Sequence, residues 1–213
     1  MAHGCIPIVL NLLHYTQNNA DATSAIANSK GTLNSPNVLT INPYVLPIWC
    51  DATGLIVNMT KFLHLLNLIT VCEGVPVLVR LAKRAIPCAR VASAAIQALG
   101  NLAVLAEDTK TWSHLLGGGL LDAFISTLSL PLTDLVDLPP SAKAAEAKVK
   151  GDGARWMERK DRLELLVVAV LTLGRIMQVA RGVQAMHNGP GPGDLARGLA
   201  SAGTVATLQS LFR

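Results

Sequence analysis

Charge is scarce in this chain. Asp, Glu, Lys and Arg make up 15% of its 213 residues, against about a quarter in ordinary soluble domains. Aromatics are scarcer still, at three Trp, two Tyr and three Phe. A core so short of rings must be filled by Leu, Val, Ile and Ala, which suits interdigitating helices better than a β-sandwich. Hydrophobic residues reach 51% and mean hydropathy is +0.41, yet long apolar runs are missing. Leu163 to Ala180 comes nearest, but it carries Glu164 and Arg175, and its apolar core runs only from Leu165 to Leu173. A bilayer span takes roughly 18 to 20 such residues. Phe62 to Val79 is interrupted by His64, Asn67, Glu73, Gly74 and Pro76. The sequence therefore predicts no membrane span.

Other absences narrow the function. The opening Met-Ala-His-Gly-Cys lacks the basic-then-apolar layout of a secretory signal. The four cysteines (Cys5, Cys50, Cys72, Cys88) lie far apart, with no CxxC pair and no histidine at metal-ligand spacing. Free thiols in a reducing compartment follow, and a cytoplasmic or nuclear location with them. Without a leader, the sequon Asn58-Met-Thr60 is expected to be a chance match. A formal charge of +4 is too mild to predict nucleic-acid binding. Gly117-Gly-Gly119 lacks the Lys-Ser or Lys-Thr of a phosphate loop. The five histidines (His3, His14, His64, His114, His187) are scattered, and no nucleophile–base pairing or paired carboxylates share a helix face. No enzyme activity, metal or cofactor is expected.

What the chain does contain is a recurring short run. Gly4-Cys-Ile-Pro-Ile-Val-Leu-Asn-Leu-Leu13, Gly74-Val-Pro-Val-Leu-Val-Arg-Leu-Ala82 and Gly119-Leu-Leu-Asp-Ala-Phe-Ile-Ser-Thr-Leu128 share one template. Gly203-Thr-Val-Ala-Thr-Leu-Gln-Ser-Leu-Phe212 fits it more loosely. In each, a glycine precedes a short helix with one apolar stripe. Around these runs, the period predicts one or two helices over Trp49–Cys72, a clean helix over Ala89–Leu105, a short one over Thr109–Leu116, a strong one from Leu163 to about Met186, and a short one over Leu195–Ala202. The stripe of the Ala89 helix is Val91, Ala94, Ala95, Ala98, Leu99 and Leu102.

Two stretches interrupt this order. Residues 15–47, rich in Asn, Ser, Thr and Pro, read as an inserted loop, and residues 129–160 as a second insertion broken at Pro139-Pro140. The basic run from Lys143 to Arg162 is interspersed with Glu146, Asp152, Glu158 and Asp161, which predicts a solvated face. Residues 187–194 read as a Gly/Pro loop. Gly74 to Gly119 spans 45 positions, whereas Gly4 to Gly74 spans 70 and Gly119 to Gly203 spans 84, each longer interval holding an insertion.

A helical unit of roughly 40 to 47 residues points to stacked repeats. The residues resemble the armadillo repeat, with the HEAT repeat as a near neighbour. The family's second helix reads Gly-x-Ile/Val-Pro-x-Leu-Val-x-Leu-Leu, matched by Gly74-Val-Pro-Val-Leu-Val-Arg-Leu; its third reads Ala-x-Trp-Ala-Leu-x-Asn-Leu-Ala, matched by Ala95-Ile-Gln-Ala-Leu-Gly-Asn-Leu-Ala103. Trp49 to Met59 offers a preceding third helix with Asn58 at the asparagine (Asn67, the competing choice, leaves no room for a first helix before Gly74), and Ala169 to Ile176 a following one with Arg175 in its place. The resemblance implies an all-α, right-handed armadillo-like α-solenoid formed by residues 1–213 as one repeat domain with inserted loops.

The resemblance also implies a non-catalytic scaffold that holds an extended segment of another protein along the third helices, where an asparagine amide grips the peptide main chain. Asn101 and Asn58 take that role, and Arg90, Gln97 and Arg175 supply selectivity. Arg90, Gln97 and Asn101 fall on one helix face. The tryptophan place holds Gln97, Gly54 and Leu171, so recognition of basic nuclear-localisation peptides, as importin alpha performs it, is not implied. For Asn101 the competing reading is a bridge between helix backbones, and for Arg175 a snorkelling surface residue. Both outer templates lie inside units, and solenoid ends need polar caps. The expectation is a fragment of a longer array, or association of the ends with adjacent repeats, a second copy or a larger complex. The alternatives are a structural helical subunit and a membrane-associated helical protein.

Overall fold

A computed structural model describes residues 4–29, 45–83, 89–129, 152–183 and 190–203. Among the described residues the chain is all helix, without a strand: α1 (Cys5–Ser29), α2 (Val45–Met59), α3 (Leu63–Val71), α4 (Gly74–Lys83), α5 (Ala89–Leu105), α6 (Thr109–Gly117), α7 (Leu120–Leu128), α8 (Asp152–Val183) and α9 (Pro192–Ser201). The all-α class expected from composition is thus the observed one. No single described helix is long and apolar enough to cross a membrane.

Local chemistry sets most of the boundaries. Trp49–Cys72 resolves into two helices because the chain breaks at Thr60–Phe62, where the Thr60 hydroxyl donates to the Val57 carbonyl at 2.8 Å. Asp108 starts α6: its carboxylate accepts the Thr111 N–H at 2.7 Å and the Thr111 hydroxyl at 2.8 Å, filling the usual N-cap role. α9 begins at Pro192, whose missing N–H is harmless in a first turn, three residues before the expected Leu195.

The bend of 85° between α3 and α4 turns on Glu73, held in the left-handed region at φ 55°. Gly119 makes the corresponding turn between α6 and α7 at φ 94°. The structural counterpart of Gly119 is therefore Glu73, one residue before the Gly74 that the sequence template pairs with it. Burial agrees. Val77, Leu78, Leu81 and Ala82 of α4 are buried, as are Ala123, Phe124, Thr127 and Leu128 of α7, each 46 positions on. Gly74 is small for another reason: a Cβ there would lie 2.7 Å from Ile69 Cγ2.

All three expected loops are partly helical, α9 taking residues 192–194 of the third. α1 continues past His14 to Ser29 through the stretch read as insertion, and at residues 16–18 tertiary partners offset weak local propensity. Thr16 and Gln17 are buried. The Trp49 indole N–H donates to Thr16 Oγ1 at 2.7 Å, and Gln17 Nε2 donates to the Val77 carbonyl at 3.3 Å. α8 likewise begins at Asp152, inside the second expected insertion, rather than at Leu163. Residues 45–47 of the first expected loop belong to α2, and Ser129, Pro190 and Gly191 are non-helical as expected; residues 30–44, 130–151 and 184–189, and the fourth template beyond Gly203, lie outside the described residues.

Packing centres on α5. It lies between α2 and α8 and rests on α4, which in turn packs against α1 and α7. Short helices sit beside this pair of layers: α3 against α4 and α6, α6 against α7, and α9 against α7 and α8. Leu, Val, Ile and Ala dominate the core, with Trp49 and Phe124 as its largest fully buried side chains. The stripe expected on α5 is buried, apart from a half-buried Ala94, but so are Ala92, Ile96, Gly100, Asn101 and Ala103. Helices cover α5 on three sides.

Candidate functional surface

The fourth side of α5, with the adjoining faces of α2 and α8, forms the surface that the sequence singles out. Arg90 and Gln97 are the exposed residues of α5, seven apart and so nearly superposed down the helix. On α8, Leu171 is 63% exposed, and Glu164 and Arg175 are exposed beside it. On α2, Asn58 is exposed and Gly54 half-buried.

Asn101 is turned away from this surface. It is 7% exposed, and its amide nitrogen donates to Thr60 Oγ1 at 3.1 Å and reaches the Val57 carbonyl at 3.5 Å. The last turn of a helix has carbonyls without intrahelical partners, and Asn101 carries a donor from α5 to that end of α2. This is the helix-bridging alternative. The sequence places Asn101 on the face of Arg90 and Gln97, and it does lie near it, but the flank of α2 draws the amide inward. Asn58 accepts from Lys61 Nζ at 3.0 Å in an exposed contact. The two asparagines thus occupy different environments.

Electrostatics across the α2–α5 seam are modest. Burial pushes the Cys50 thiol above its ordinary value, the Arg90 guanidinium pulls it down, and Asp51 adds to the rise. Glu164 pairs with Lys160 at 3.8 Å, one turn away on α8; such exposed pairs contribute little. Cys5, Cys50 and Cys72 are free thiols, and Cys88 lies outside the described residues. Among the described residues no three His, Cys, Asp or Glu side chains cluster as metal ligands.

Several contacts escape a reading of sequence alone. Arg80 of α4 donates to Asn18 Oδ1 at 3.2 Å and to His14 Nδ1 at 2.9 Å, tying α4 to α1. At Gly100 α8 presses close: a Cβ there would lie 1.9 Å from Thr172 Cγ2. The signal for that contact was a glycine inside an otherwise uninterrupted helix, where it costs about 1 kcal/mol relative to alanine.

No protein family, curated protein or solved structure matches this chain.

Proposed function

We propose that this chain is a non-catalytic protein-interaction scaffold, built from armadillo-like units in a right-handed stack and holding an extended segment of another protein across α2, α5 and α8. One observation carries the reading: the three helices that the sequence aligns as third helices lie side by side, with α5 in the middle. The second helices α1, α4 and α7 form a matching row, α4 touching both others. α3–α4–α5 and α6–α7–α8 then follow one order of short, short and long helix.

In this reading Arg90, Gln97 and Arg175 contact the partner, and exposed Leu171 offers an apolar seat. Gln97 is the best-placed group for a peptide main chain, since an amide both donates and accepts. Asn101 acts as a positioning residue that fixes α5 against α2, and Asn58 lies at the rim. The exposed apolar residues on α8 also favour a second reading, a structural subunit held permanently in a larger complex.

Affinity capture from cell extract by the full chain, compared with an Arg90→Ala/Gln97→Ala/Arg175→Ala variant, tests the proposal. The variant should keep its helical circular dichroism and lose its partners. Undiminished capture would place the binding surface elsewhere. Near-stoichiometric capture that survives high salt would select the subunit reading.

A further inference from the structure

We infer that copies of this chain stack end to end, α2 of one copy against α8 of the next, repeating the joint by which α8 already packs on α5. The inference rests on the stacked-unit reading above. It starts from Gly100 and Thr172. α8 approaches α5 so closely that Thr172 fills the space a side chain at position 100 would need. The α5 residues on that same flank, Ala89 and Ile96, are buried, as a helix covering the stripe 89, 96, 100 requires.

Aligning Asn101 with Arg175 puts Gly174 at the place of Gly100, Val170 at that of Ile96 and Leu163 at that of Ala89. Among the described residues this stripe of α8 is largely exposed. A Cβ at Gly174 would meet nothing within 4 Å, Leu163 is 52% exposed, Val167 in the same row is 49% exposed, and Val170 is only half-buried. The far end presents the other half. Aligning Asn58 with Asn101 puts Ile48 and Leu55 of α2 at the places of Val91 and Ala98, which are buried at 1% and 0% on the flank of α5 that faces α2. Ile48 and Leu55 are 39% and 42% exposed.

Among the described residues, both surfaces of the internal joint are therefore exposed at opposite ends of the α2–α5–α8 row, the one on α8 lying on the helix that α9 also packs against. Continuity with the α5–α8 interface selects a second copy as the occupant, because the copy supplies the missing half in the register already in use. Such a joint is heterologous and does not close on two subunits, so association continues with concentration.

The test uses the full chain, with Gly174→Arg to block the α8 end and Leu55→Lys to block the α2 end. Both positions are accessible, so both variants should keep wild-type helix content. By light scattering across a dilution series, the wild type should grow beyond a dimer, and each variant alone should remain a monomer. An equimolar mixture of the two should form a one-to-one dimer and stop there, because each variant keeps one intact end. A folded wild type that is monomeric at every concentration overturns the inference, as does a mixture that stays monomeric or a variant that associates like the wild type. The Arg90/Gln97/Arg175 alanine variant should associate normally, which separates failure of this joint from failure of the groove.

Discussion

Replacing Gly100 by alanine puts the α5–α8 joint to a direct test. The added Cβ falls 1.9 Å from Thr172 Cγ2, 3.3 Å from its Cβ and 3.7 Å from its Oγ1, whereas carbons rest at about 3.5–4.0 Å. Thr172 must change rotamer or α8 must slide, at an overpacking cost of about 1–3 kcal/mol. Better helix propensity returns about 1 kcal/mol. The net expectation is a loss of about 1 kcal/mol, or a fall of a few degrees in Tm at this chain length. Gly174→Ala supplies the control at a dilution where the chain is monomeric, since its Cβ meets nothing within 4 Å among the described residues, and it should be neutral or slightly stabilising. Thr172→Ala removes the 1.9 Å contact, so the double variant should recover at least about 1 kcal/mol relative to the sum of the singles. Urea denaturation followed by circular dichroism measures all four. If Gly100→Ala matches Gly174→Ala in stability, or if Thr172→Ala gives no rescue, α8 does not press on α5 at this point.

Three further outcomes follow from local geometry. Glu73→Gly should stabilise the chain by roughly 1 kcal/mol in the same denaturation assay, because glycine removes the left-handed strain at φ 55°. Asp108→Ala should lose about 1 kcal/mol as its N-cap disappears. The Thr111 N–H and hydroxyl hold the Asp108 carboxyl below its ordinary value, so its stabilising effect is present above the unfolded carboxylate range and fades as pH falls through the folded value. The gap between wild type and Asp108→Ala should accordingly narrow on acidification in pH-dependent melts. Trp49→Phe keeps most of the buried ring but leaves Thr16 Oγ1 without its indole donor; thermal melts should show a loss of about 1–2 kcal/mol.

The limits of α5 were readable because nothing inside Ala89–Leu105 breaks the period and Asp108 announces the next cap. The continuation of α1 was not. Asn, Thr and Ser are weak helix formers, and what keeps Thr16 and Gln17 helical is contact with Trp49, 33 residues away, and Val77, 60 residues away. The one-residue slip in the template arose at Glu73, since sequence gives no warning that a glutamate takes the left-handed turn while the glycine after it serves close packing. For the surface, residue type and spacing located Arg90, Gln97 and Arg175 at exposed positions. They could not decide which way Asn101 turns, because that depends on Val57 and Thr60 presented by a neighbouring helix.

The cover of α5 on three sides bears on which of its residues tolerate substitution. Of its 17 residues, only Arg90 and Gln97 are exposed, so almost every other substitution there disturbs packing with α2, α4 or α8. Arg90 and Gln97 are therefore the positions of this helix that can be exchanged while the neighbouring helices keep their places.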